Sequence, residues 1–122
     1  MRALDAAKSA GAEYSDVRIS QNRNQAILTR EHRVQALNES ETFGFGVRVL
    51  VRGSWGFAAS RDLSPDEMVR VARQAVAQAQ ANRAVLERPV VLAPVTPTAD
   101  GTWRGPAEID PFEVPVEEKV AL

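Results

Sequence analysis

Cysteine is absent from this 122-residue chain, so neither a disulfide framework nor a thiolate metal site is available, in keeping with a reducing compartment. Histidine is almost absent: His32 stands alone, whereas His-x-x-x-His and His-Glu-x-x-His zinc sites each need two. Beside Glu31 it reads as a surface histidine in a hairpin. No apolar run approaches membrane-spanning length, and residues 1–20 carry interspersed charges rather than the apolar block of a signal peptide. A third glycine is missing after Gly44-Phe45-Gly46, and the element that follows is a strand, so a dinucleotide loop is excluded. The same stretch lacks the flanking residues of an RNA-recognition motif, since Glu41-Thr42 stands where a basic residue and a glycine belong. The serines lack a convincing histidine partner, the aspartates are scattered, and carboxylates alone favour hard ions without making a peptidase. These absences predict a soluble cytoplasmic protein with no catalytic residue, no metal ligand and no cofactor in this chain, and with neither nucleic acid nor membrane as partner.

What is present divides unevenly. Residues 1–84 hold 12 basic and 9 acidic side chains, and residues 85–122 hold 3 and 7, which together make the formal net charge of -1. The positive excess is dispersed, so it adds little to a case for nucleic-acid binding. Six of the seven prolines fall in the acidic segment: Pro89, Pro94, Pro97, Pro106, Pro111 and Pro115. Proline removes a backbone donor and breaks both helix and central strand. The segment therefore reads as an extended arm, with Val90, Val91, Leu92, Trp103, Ile109 and Phe112 as apolar anchors along a surface. It ends in a turn at Asp110-Pro111 and a helix start carrying Glu117 and Glu118, at a length too short to stand alone. The opening helix, residues 2–10, has Leu4, Ala7 and Ala10 on one face and Gly11 as a C-terminal cap, but no N-cap residue. The chain thus reads as a fragment or a minimal domain.

Between these ends the pattern is strands followed by a helix. Tyr14–Ser20 alternates Val17 and Ile19 against Asp16, Arg18 and Ser20, the signature of a half-buried strand. Gln25–Glu31 and Arg33–Asn38 are weaker strand candidates that pair as a hairpin. The strongest strand places Phe43, Phe45, Val47, Val49 and Val51 on one face, and its turn is expected at Gly53-Ser54, which sets Leu50 opposite Phe57. The helix from Pro65 to about Arg83 starts with Ser64 as N-cap, Pro65 at the first position and Glu67 closing a capping box, with a Leu63/Met68 staple. Its inner stripe is Met68, Ala72, Ala75, Val76 and Ala79. The expected fold is α+β: an antiparallel sheet of about 4–5 strands with two helices packed on one face over residues 1–84, then the extended Pro-rich arm, residues 85–122. The other sheet face carries Leu50, Trp55 and Phe57, to be covered by the arm or by another domain.

The run from Thr42 to Glu67, TFGFGVRVLVRGSWGFAASRDLSPDE, resembles the N-terminal domain of the TldD/PmbA proteins, also labelled modulators of DNA gyrase. ALDAAKSAGAEYSDVRIS upstream is similar to that family's opening helix and first strand, and the segment from Leu92 to Leu122 to its exit from the domain. The resemblance implies a zinc metallopeptidase family acting on small or unfolded peptides, with zinc held by an HExxxH motif in the C-terminal half of a longer protein; that motif is not in this sequence. By the same resemblance, this chain walls the peptide cavity and contacts either a related TldD/PmbA subunit, as in a dimer, or its own C-terminal domain. Leu50, Trp55, Phe57 and Trp103 are the candidate surface facing a partner or peptide. A stand-alone protein-interaction module using the same patch is the alternative.

Overall fold

The computed structural model describes residues 2–31, 33–96 and 100–121. In chain order the elements are helix α1 (Arg2–Ser9), strands β1 (Tyr14–Arg30), β2 (Arg33–Val51) and β3 (Ser54–Ser60), helix α2 (Pro65–Asn82) running into a 3₁₀ turn (Arg83–Val85), and the short helix α3 (Val116–Val120). The fold is α+β, with an antiparallel sheet in the order β1-β2-β3. The sheet has three strands among the described residues, fewer than the 4–5 expected. The strand candidates on either side of Gln21–Asn24 and of Glu39–Thr42 are continuous, because neither polar interruption contains a proline or glycine to break the extended backbone. The expected hairpin histidine, His32, lies outside the described residues.

The chain forms two compact units, one of Met1–Asn22 with Thr42–Ala93 and the other of Arg23–Glu41 with Pro94–Leu122; β1 and β2 pass through both. The core of the first unit follows from alternation on β2. Phe45, Val47, Val49 and Val51 are buried on one face, joined by Ala58 of β3. Phe43, expected in the same row, is half exposed. Helix α2 lays Val71, Ala72, Ala75, Val76 and Ala79 against this face, while Met68 is only partly buried at its edge. Small side chains let the helix come close, and Gly56 of β3 sets the limit: a Cβ there would lie 2.0 Å from the carbonyl oxygen of Ala75 and 2.7 Å from the amide nitrogen of Ala79. Helix α1 contributes Ala3 and Ala7, with Ala6 and Ala10 packed beside them. Leu4, expected on the core face, is only half-buried. Ala3 and Ala7, an i, i+4 pair on one side of the helix, are its buried residues.

Local chemistry explains the junctions. Gly11, at φ 101°, ends α1 in a Schellman arrangement: its N–H donates to Lys8 O and that of Ala12 to Ala7 O, each at 3.0 Å. The turn between β2 and β3 is Arg52-Gly53, not Gly53-Ser54. Both central residues have positive φ, 48° and 78°, the requirement of a type I′ turn, whose second position glycine favours. The pairing is consequently Leu50↔Trp55, Arg48↔Phe57 and Val49↔Gly56, two residues from the expected register. An even shift leaves every side chain on its expected face.

At the start of α2, Ser64 makes no side-chain cap hydrogen bond. Its own N–H donates to Asp62 Oδ1 at 2.8 Å, which takes the partner a capping box would give to Glu67, and Glu67 turns to Arg70 Nε at 2.6 Å instead. From Leu86 to Pro115 the described residues form neither helix nor strand, as the prolines dictate. The first part of this stretch belongs to the first unit: Val90 N–H donates to Gly53 O at 2.9 Å, and Pro89 occupies the space a side chain at residue 53 would need.

In the second unit, the far half of the β1-β2 hairpin packs with the C-terminal residues. Arg23 sits 4.6 Å over the Phe112 ring, and Gln25 accepts from Lys119 of α3 while donating to Glu39. Asp110 shapes the turn before α3, accepting from Phe112 N–H on its side chain and from Glu113 N–H on its carbonyl.

Candidate functional site

The sheet face opposite α2 carries the candidate residues of the first unit. Antiparallel pairing sets Leu50 of β2 beside Trp55 of β3, and Arg48 beside Phe57. Arg48 organises this face. Its guanidinium donates to Asp16 Oδ2 of β1 at 2.8 Å and stacks 4.9 Å from the centre of the Trp55 ring, while Tyr14 meets the same indole edge-on at 5.9 Å. The charge-assisted pair thus holds the guanidinium, and the cation–π and T-shaped contacts hold the Trp55 ring between Arg48 and Tyr14. The hydrogen bond and charge of Asp16, with a smaller contribution from Tyr14, hold the Arg48 pKa above its ordinary value.

Leu50 is buried on this face and lies outside the core cluster, Trp55 is half-buried, and Phe57 is exposed over about half its surface (56 %). The Phe57 ring lies on the backbone of Gly46, so close that a Cβ at residue 46 would meet it at 2.7 Å. Leu50, Trp55 and Phe57 therefore share one face. Trp103 belongs to the second unit, where it is 85 % exposed with Gly105 beside its ring.

Next to Phe57 lies an open groove of about 680 Å³. Gly44, Gly46 and Ala59 are among its small lining residues, and Arg18 of β1 and Arg61 beyond β3 both line it. A smaller hollow of about 140 Å³ continues it between Asp16, Arg48 and Phe57. Arg18, Arg61 and the Asp16–Arg48–Trp55 chain were not among the sequence candidates. Alternation about Val17 puts Asp16 and Arg18 on the face away from the core, but that Asp16 meets Arg48, 32 positions away, depends on the register of two strands.

The edge of β3 is closed by α2. Phe57 N–H donates to Gln78 Oε1 at 2.6 Å, and Trp55 O accepts from Asn82 Nδ2 at 3.0 Å, which satisfies outward backbone groups that an edge strand otherwise leaves open. Among the described residues, no three His, Cys, Asp or Glu side chains cluster so as to hold a metal ion. No described helix is long and apolar enough to cross a membrane.

Comparison with known proteins places this geometry. Residues 15–79 match the family model of PmbA/TldA metallopeptidase domain 1. A metalloprotease of Methanocaldococcus jannaschii is 25 % identical over 107 residues, 88 % of this chain and 24 % of the relative. Another, from Methanothermobacter thermautotrophicus, is 30 % identical over 110 residues, 90 % of this chain and 23 % of the relative. The crystal structure of TldE from Thermococcus kodakarensis shares the fold, with a TM-score of 0.58 at 11 % identity over 87 % of this chain and 23 % of that one. The chain thus spans about a quarter of the length of the curated relatives it matches. Those relatives are named as metalloproteases, yet the donor set of the described residues does not fit a metal. The family match covers β1 to α2, including the Asp16–Arg48–Trp55 face, and the chain belongs to the PmbA/TldA metallopeptidase family as its first domain.

Proposed function

We propose that this chain is the non-catalytic N-terminal domain of a TldD/PmbA-like metallopeptidase. It walls the peptide cavity and contributes to the contact with a related subunit or with its own C-terminal domain. In this reading, residues 1–84 form the family domain, residues 85–122 are the extended acidic arm leading out of it, and the whole protein is cytoplasmic. Proteolysis of small or unfolded peptides, with zinc, belongs to the full-length protein. The observation that carries the reading is the pairing of a domain-1 match with a metal-poor donor set: the relatives are metalloproteases about four times longer, and the described residues here offer no cluster of ligands. A non-catalytic domain acts by shape and surface, and the face bearing Leu50, Trp55 and Phe57 is the surface we assign to partner or peptide, with Trp103 as the candidate from the second unit.

A peptide can also be taken up by backbone pairing at an open sheet edge, which recognises unfolded chains without demanding sequence. With the β3 edge occupied by Gln78 and Asn82, this role falls to β1 over Tyr14–Asn22. The deciding experiment measures hydrolysis of an unfolded peptide, with zinc added, by the 122-residue chain and by the protein of its full reading frame. Activity confined to the longer protein is expected. Chelator-sensitive activity in the 122 residues alone would overturn the reading. Hydrogen exchange adds a second check: saturating unfolded peptide should protect β1 amides, and unchanged exchange would remove the edge-pairing role.

A further inference from the structure

We infer that the groove beside Phe57 is a docking site for an extended acidic polypeptide segment, which sets an apolar side chain on the small-residue floor and its carboxylates on Arg18 and Arg61. The floor is open because Gly44, Gly46 and Ala59 leave little side-chain volume between the strands. Its apolar wall is Phe57, a large ring left about half exposed and packed close to Gly46. Water gains little by wetting such a surface, and an aliphatic side chain placed there removes apolar area from it.

Charge decides the kind of partner. Four charged residues of this face bear on the groove and the adjoining hollow: Asp16, Arg18, Arg48 and Arg61. Asp16 is committed to Arg48, which is further held by Trp55. The Arg18 and Arg61 side chains are exposed, and neither guanidinium has a hydrogen bond or ion pair to any described residue. The groove is thus left with two unneutralised guanidinium groups, each able to grip a carboxylate through two parallel hydrogen bonds. An acidic segment with an apolar residue between its carboxylates complements both features. A single-stranded nucleic acid fits less well: two free cations are few for tracking a phosphate backbone, and Phe57 is a single ring, already packed close to Gly46, where successive bases need several to stack on. The inference concerns binding alone and stands whether or not the whole protein cuts peptides.

The test is fluorescence anisotropy with the 122-residue chain and three labelled probes: two extended peptides of one length, bearing Glu-Leu-Glu or Lys-Leu-Lys in the same Gly/Ser frame, and a single-stranded oligonucleotide. The acidic peptide should bind best, and its affinity should fall as salt screens the guanidinium groups. Arg18→Ala and Arg61→Ala should each weaken it by about fivefold, the upper end for an exposed ion pair. Ala59→Glu, at an exposed strand position that leaves the core untouched, should fill the floor with a like charge and abolish binding. Equal binding of acidic and basic peptides, tighter binding of the oligonucleotide, or indifference to all three substitutions in folded protein would each overturn the proposal.

Discussion

Gly56→Ala puts the packing of α2 on β3 to a direct test. The added methyl would lie 2.0 Å from Ala75 O, 2.7 Å from Ala79 N and 2.9 Å from Ala79 Cβ. The nearest obstacles are helix backbone, which cannot rotate away as a side chain can. Restoring an ordinary contact distance of about 3.5 Å requires α2 to withdraw by about 1.5 Å. That movement loosens the buried row from Val71 to Ala79 and strains the bonds from Phe57 N–H to Gln78 and from Asn82 to Trp55 O. Overpacking of a tight contact costs roughly 1–3 kcal/mol, and two weakened hydrogen bonds add about 1–2 kcal/mol. Replacing a strand glycine by alanine returns about 0.5–1 kcal/mol. The net expectation is a loss of about 3 kcal/mol, a large share of the roughly 5–15 kcal/mol of a domain this size. Urea unfolding followed by Trp fluorescence reads it as a lower midpoint, and heating as a melting point lower by about 10 °C. Gly105→Ala, whose methyl would meet only the Trp103 ring at 3.5 Å, is the control expected to change little. An unaltered midpoint and slope for Gly56→Ala would refute the close approach.

Gly53→Ala combines strain at φ 78° with collision against Pro89 at 2.6 Å; a loss of about 2 kcal/mol or more is expected in the same urea assay. Val47→Ala empties part of a fully buried site between sheet and helix and should lower the urea midpoint by an amount equivalent to about 2–3 kcal/mol. The Glu67 carboxyl is held down to about 2, first by its hydrogen bond from Arg70 and then by one from Ser60, against an ordinary value of 4.5. A depressed carboxyl stabilises the fold above its unfolded value and loses that contribution as pH falls through the folded one. Wild-type stability should therefore decline between about pH 4.5 and 2 more steeply than that of Glu67→Gln, as read by urea midpoints across that range.

Family and element types were legible in the linear chain because they rest on local chemistry. Strict alternation from Phe45 to Val51 fixed one buried face of β2, Pro65 after Ser64 fixed where α2 begins, and Gly11 fixed where α1 ends. The prolines beyond Leu86 fixed where regular structure stops. Errors arose where two local solutions compete. Arg52-Gly53 and Gly53-Ser54 both satisfy a glycine turn, and only pairing with β3 separates them. Ser64 and Glu67 spell a capping box, but Asp62 and Arg70 outcompete them through nearer charges and donors. Phe43 continues the buried row in sequence, yet it is half exposed, which no period of two can announce.

By itself, then, the sequence determined an α+β domain, its family, and the absence of an HExxxH motif, since residue type and short-range spacing carry all three. Tertiary structure alone decided that four strand candidates make two long strands, and that Gly56 lets α2 rest on β3. It alone joined Asp16 to Arg48 and Arg48 to Trp55, and left Arg18 and Arg61 flanking an open floor beside Phe57. These are contacts between residues far apart in the chain, and their geometry follows from strand register and helix approach, which exist only once the sheet has closed.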